Sequence, residues 1–290
     1  MERVARVIVE VAFVPSLLSD GERKVCIVLD VLRATSSLVT MFAAGAEEVW
    51  LAETAAEALR CAEEWRAAGR GNVVICGEVG GLPPRGFDYG NSPSEYAKAD
   101  LRGAIVVFST TNGTRALRQL ARSPLVLAGS FLNAPAAVRR AVAEAEHREL
   151  DLAIVCSGRA FGKAFNLEDA VCAGYMAGLA AQQLEAVPLS SVADRDYAGA
   201  TVASATGRHY LEESAVAAQH LYNSYLCHHP SPVQAARAVL GESASGRSIE
   251  RLGMGRDLDY CAQVGLSELT PRVAATEGEL LKAVIDGRSA

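Results

Sequence analysis

The chain has 290 residues, half of them hydrophobic and 21% charged, with a formal net charge of −6. That length suits two α/β lobes or one large one, and no Lys/Arg cluster offsets the acidic balance, which argues against a nucleic-acid partner. An acidic protein that takes an anionic substrate must bind it locally, through a few arginines, N–H groups or a metal ion.

The seven cysteines include no C-x-x-C pair, so a zinc site is not expected, and their odd number suits a reducing cytoplasm. Arg3, Arg6 and Glu10 interrupt the first apolar stretch, and no apolar span is long enough for a membrane helix. The expectation is a soluble cytoplasmic protein with no membrane partner.

Val4 to Val14 reads as a first strand ending at Pro15-Ser16. Val25 to Leu29 is short, apolar and β-branched enough for a buried strand. It is followed by Asp30, Arg33 and Thr35, then by a helix from Leu38 that Thr35, Ser36 or Ser37 can cap. In an open α/β sheet, ligands bind beyond the carboxyl ends of the strands. A carboxylate, a guanidinium and helix N–H groups there suit a metal ion and a phosphate together, although Asp30 and Arg33 fit a structural ion pair equally well.

Glu48 to Ala52 is a short strand. Thr54 opens a helix with Glu57 in capping-box spacing and Gly69 at its end. Asn72 to Cys76 is the next strand and delivers Gly77-Glu78. The Gly- and Pro-rich run Val79 to Tyr89 predicts a surface loop. Beyond it, Ser92 reads as an N-cap with Pro93 in the first turn and Glu95 as box partner. Asn91 is not needed for that cap and is a binding candidate.

Ala104 to Phe108 is a strand followed by STTNGTRAL. Thr111, Asn112, Gly113 and Thr114 there form either a tight capped turn or an anion nest. A strand at Leu125 to Ala128 precedes a helix from Asn133 or Ala134 to about Leu150. Asp151 to Val155 repeats the pattern, leading through CSGRAFGKAFN to a helix from Leu167 capped by Asn166. Glu168 and Asp169 in its first turn favour the helix dipole, which is their structural role if they have no other. Adjacent carboxylates point about 100° apart, so at most one is expected to face the crevice fully.

Later segments predict helices near Ala200, at Leu211 to Tyr222, Val233 to Leu240 and Ile249 to Arg251, then DLDYCAQ, an apolar stretch at Val273 and a last helix over Glu277 to Ile285. A division into residues 1–135 and 136–290 is expected, without any linker to mark it. Gly158 to Ala164 is one residue short of a Walker A loop and lacks its Ser/Thr, and no G-x-G-x-x-G follows a strand. Nucleotide cofactors are therefore not expected.

Together DVLRATSS, Gly77-Glu78, GFDYGNSPSEY, TTNGTRAL, GSFLNA, CSGRAFGKAFNLEDAVCAG and a late D-x-D-Y-C resemble, in order and spacing, the 2-phosphosulfolactate phosphatases. Ser157 stands where many relatives have Ala, and Ser36-Ser37 replace a Thr-rich run. The resemblance implies an α/β fold of two intimately joined lobes, with mixed or parallel sheets flanked by helices and the site in the cleft at strand C-terminal ends. It implies magnesium-dependent removal of phosphate from 2-phosphosulfolactate, giving 3-sulfolactate on the route to coenzyme M.

Magnesium needs hard oxygen ligands, so Asp30, Glu78 and Asp169 are its candidates, with Glu168 in reserve. Arg33 would hold the phosphoryl group, with Thr35, Thr111, Asn112, Gly113 and Thr114 as donors. Ser157, Gly158 and Arg159, with Asn91 nearby, would take the rest of the substrate, a small anionic phosphorylated molecule. Direct water attack ranks above an aspartyl phosphate on Asp30, because a D-x-D pairing is missing. A different phospho-hydroxy acid, or anion binding without turnover, are the alternatives, and a homo-oligomer is compatible with all of them.

Overall fold

A computed structural model describes residues 6–160, 162–189, 209–277 and 280–286. The first half contains β1 (Ile8–Ala12), β2 (Lys24–Leu29), α1 (Ala34–Ala43), β3 (Glu48–Ala52), α2 (Ala55–Ala67) and β4 (Asn72–Gly77). It continues through a single turn α3 (Pro93–Tyr96), β5 (Ala104–Ser109), α4 (Gly113–Gln119), β6 (Leu125–Gly129) and α5 (Ala134–Arg148). Then come β7 (Asp151–Cys156), α6 (Leu167–Leu184), β8 (Val187–Pro188), β9 (Tyr210–Leu211) and α7 (Glu213–Leu226). The chain closes with α8 (Pro232–Glu242), α9 (Ala244–Arg251), α10 (Arg256–Cys261), β10 (Arg272–Glu277) and β11 (Leu280–Val284).

The strands form one mixed sheet in the order β4-β5-β3-β11-β10-β6-β2-β7-β1-β9-β8. Within β4-β5-β3, and again from β6 to β8, all pairings are parallel. The β10–β11 hairpin joins the two blocks through antiparallel pairs on both flanks, so the blocks run in opposite senses. The α/β class with helix-flanked strands is as the sequence predicts. Residue 135 lies in the first turn of α5, which packs on β2 and β6.

Three apolar clusters hold these layers. Trp50, Ala58, Ala62, Ile75 and Val107 seat α2 on the first block. Ile27, Leu29, Ile154, Val138, Met176 and Ala218 seat α5, α6 and α7 on the second. A third cluster takes side chains from both blocks and from α1, among them Val28, Leu38, Phe42, Leu51, Phe108 and Leu281. β2 is buried along Val25–Leu29 because both of its faces are covered, which is why its sequence is a continuous apolar run. α6 and α7 approach so closely that a Cβ on Gly174 would stand 1.9 Å from the Ala218 carbonyl oxygen.

The expected last helix is a strand. Leu280–Val284 is β11, paired on both sides by β10 and β3, and burial on two faces gives it an apolar run that periodicity alone does not separate from a helix. Of the first strand expected over Val4 to Val14, residues 4 and 5 lie outside the described residues, and the strand covers Ile8–Ala12. Thr35, Ser36 and Ser37 lie inside α1, whose N-cap is Arg33, so they are not its caps. Thr54 does cap α2, accepting from Glu57 N–H at 3.1 Å, but the Glu57 carboxylate reaches Glu53 N–H instead of closing the box. The helix expected near Ala200 lies outside the described residues. Among the described residues no helix is long and apolar enough to cross a membrane.

Candidate active site

β2 and β7 are parallel neighbours, with Leu29 opposite Cys156, so Asp30 and Ser157 emerge side by side at their carboxyl ends. Asp30 is buried. Its main chain is fixed by Thr35, whose hydroxyl accepts from Asp30 N–H at 3.0 Å and donates to Asp30 C=O at 2.9 Å. Asp30 Oδ1 accepts from Ala34 N–H at 3.4 Å. The first residue of α4 presses on the other oxygen: a Cβ on Gly113 would stand 2.8 Å from Asp30 Oδ2.

α6 brings two more acids. Asp169 Oδ1 accepts from Val31 N–H at 2.8 Å, and its Oδ2 takes 3.4 Å contacts from the Ser157 hydroxyl and the Asn166 amide. Asn166 therefore serves Asp169 and gives α6 no side-chain cap. Glu168 is 1% exposed and its Oε1 has no hydrogen-bond partner. Both acids are thus buried, although they are adjacent in the helix. Burial pushes the Asp30 carboxyl up to about 7, helped by the nearby charges of Glu168 and Glu78. Asp169 is raised well above the carboxylate range by burial, then by Glu168 and Asp30. Burial raises Glu168 too, against the hydroxyls of Ser245 and Ser243 and the charge of Arg159.

Glu78, beyond β4, faces the same region from the other block. It accepts from Thr111 N–H at 3.0 Å, from the Thr111 hydroxyl at 2.9 Å and from Gly81 N–H at 2.7 Å. Thr110 and Thr114 share a hydroxyl contact at 3.0 Å, and Asn112 Oδ1 is buried without a partner. Two grooves open here. One is lined by Pro15, Asn112, Arg115, Gln119, Ser157 and Gly162. The other is lined by Glu78, Thr110, Thr111, Arg115, Glu53 and Thr54.

Other expected site residues have protein partners of their own. Arg33 is 4% exposed; one terminal nitrogen donates to Asp257 Oδ2 at 2.8 Å and contacts Met254 Sδ at 3.0 Å, and the other donates to Gly81 C=O at 3.0 Å. Asp257 Oδ1 accepts from Ser92 Oγ at 2.7 Å and from Ser94 Oγ and N–H at 2.7 and 3.1 Å. The capping box expected at Ser92 is therefore absent: its hydroxyl goes to Asp257, and Glu95 is exposed. Asn91 Oδ1 accepts from Ser37 at 2.6 Å. Gly158 is buried with φ +67, while Arg159 is exposed and donates from Nε to Phe165 C=O at 3.4 Å. Asp257, Ser243 and Ser245 were not expected at the site. Asp257 carried only the D-x-D-Y-C signal, which on its own reads as an acid in the first turn of a helix.

Hard oxygens, crowded buried carboxylates and an unpartnered Glu168 oxygen suit a divalent cation of the magnesium type. Among the described residues, no group of three or more His, Cys, Asp or Glu side chains is arranged to enclose one. Magnesium commonly uses only one or two carboxylates and completes its shell with water and substrate oxygens, so an open set of this kind fits it.

Fold and crevice define an α/β protein with buried acids and hydroxyl donors meeting at the carboxyl ends of parallel strands. A family model described as 2-phosphosulpholactate phosphatase matches residues 13–276, and the chain belongs to that family. A probable 2-phosphosulfolactate phosphatase of Thermosynechococcus vestitus is 34% identical over 253 residues, covering 87% of this chain and 90% of that protein. Proteins of the same description from Carboxydothermus hydrogenoformans and Thermus thermophilus are 32% and 36% identical. They cover 94% and 89% of this chain, and 96% and 91% of their own lengths.

Proposed function

We propose that the chain hydrolyses the phosphate monoester of 2-phosphosulfolactate to 3-sulfolactate and phosphate, with magnesium, in the route to coenzyme M. The observation that carries the reading is the convergence of Asp30, Glu168 and Asp169 at the ends of β2 and β7, under the donor-rich start of α4. Hydrolysis of phosphate monoesters can require catalysis of about 10²¹-fold, close to 28 kcal/mol. Helix termini contribute only about 0.3–2 kcal/mol each, so donors alone are insufficient. Asp30 and Asp169 would hold the ion, with Glu78 and Glu168 beside them. Bound there, magnesium supplies charge neutralisation for the phosphoryl oxygens and a more acidic water.

The remaining work falls to the chain. Thr111, Asn112, Gly113 and Thr114 orient the phosphoryl group, and the Asn112 side chain has an amide to offer it. Arg33 places a positive charge beside that group, and Asp257 fixes where the charge stands. Ser157 holds Asp169 and, with Gly158 and Arg159, borders the organic part of the substrate. All seven cysteines are free, which supports a reducing, cytoplasmic setting. A panel of phosphomonoesters assayed with magnesium and with chelator tests the reading. Preference for 2-phosphosulfolactate, lost with chelator, is expected; no turnover of any member would leave an anion-binding protein.

A further inference from the structure

Both grooves beside the carboxylates share one cationic wall. Arg115, in the first turn of α4, lines the groove that ends at Asn112 and Ser157 and also the groove that ends at Glu78 and Thr111. Its side chain is 44% exposed, with Nη2 4.0 Å from Glu53 Oε1. Arg159, the cation that the sequence offers for the same purpose, points its Nε to Phe165 C=O on an exposed loop.

2-Phosphosulfolactate carries three anionic groups a few bonds apart, a phosphoryl group and a carboxylate and sulfonate on either side of it. The phosphoryl group sits at the buried acids and their donors, where its chemistry is proposed. The groove at Glu78 and Thr111, about 290 Å³, has room for the sulfonate and is bordered by Arg115, whereas the opening at Asn112 and Ser157 holds little more than a water. We propose that Arg115 is the specificity-determining residue, its planar fork receiving the sulfonate of the substrate. Resting on the proposed phosphatase reading, this inference assigns substrate choice to α4 instead of to the Gly158–Arg159 loop.

The test separates binding from turnover. Calorimetric titration with 3-sulfolactate and with lactate needs no catalysis. Arg115→Ala is expected to weaken 3-sulfolactate binding by about tenfold or more, the worth of one charge-assisted hydrogen bond, while lactate binding is unchanged. Arg115→Lys should recover part of the loss, since it keeps the charge and loses the fork. In turnover, Arg115→Ala should raise KM for 2-phosphosulfolactate and leave kcat and the constants for 2-phospholactate near wild type. Equal losses on both ligands, no loss on either, or a loss confined to Arg159→Ala would overturn the assignment. If the wild type turns over neither substrate, the phosphatase reading fails, and the titrations still decide the role of Arg115.

Discussion

Arg33 and Asp257, far apart in sequence, form an ion pair of 2.8 Å in which both side chains are almost wholly buried. The pair ties the segment after β2 to α10. Through Ser92, Ser94 and Gly81 it also fixes α3 and the glycine turn whose N–H is held by Glu78. Removing one partner of such a pair strands a buried charge, at a cost of about 3–5 kcal/mol. Asp257→Ala should lose stability on that scale in denaturant unfolding. The Arg33→Met, Asp257→Leu double variant should lose clearly less than the sum of the single losses. Additive losses would mean that the two residues act independently.

The acids make stability depend on pH in the metal-free protein. Asp30 is raised from 3.8 to about 7, so between those values the folded state keeps a proton that the unfolded state releases. Folding therefore loses stability as pH rises through that window and levels off above it. Glu168 and Asp169 are raised as well and act with the same sign. Asp30→Asn should remove its share, becoming progressively more stable than wild type as pH climbs from about 4 to 7 in chelator. A difference between the two that is flat across this range would contradict the shift.

Gly113 has no room for a side chain. A Cβ there would stand 2.4 Å from that of Ala34 and 2.8 Å from Asp30 Oδ2. Gly113→Ala should cost about 1–3 kcal/mol in stability through overpacking. It should cost more in kcat than in folded fraction, because the group displaced is the Asp30 carboxylate. Equal kcat per folded molecule would remove Gly113 from the site.

Gly174→Ala is the contrasting case. The clash with Ala218 C=O at 1.9 Å lies between α6 and α7, away from the acids. Thermal unfolding should show a loss of about 1–3 kcal/mol, or more if the helices do not part. The folded fraction should keep its kcat.

Much of the frame was legible because strand burial and capping leave local marks. β2, β3, β4, β5, β6 and β7 stand within a residue or two of where apolar β-branched runs put them, and Thr54 caps its helix. β11 was misread because burial on both faces erases the alternation that distinguishes a strand. At the site, Asp169 reaches the segment that carries Asp30 through Val31 N–H, and both acids at the start of α6 are buried, where helix geometry led at most one of them to be expected in the crevice. The partners of Arg33 and Ser92 were not legible. Asp257 reaches them only through the tertiary packing of α10, and a serine before a proline signals a cap whether or not its hydroxyl is drawn elsewhere. Arg115 left no mark either, since its place between two grooves depends on how the blocks meet.

The initial rate of phosphate release from 2-phosphosulfolactate, for wild type and Asp30→Asn in magnesium and in chelator, tests the central claim most directly. The account predicts turnover by the wild type with magnesium alone, and a loss of at least about a hundredfold in Asp30→Asn, since metal-held charge supplies several kcal/mol. A wild-type rate indifferent to chelator, or an Asp30→Asn variant as fast as wild type, would contradict it.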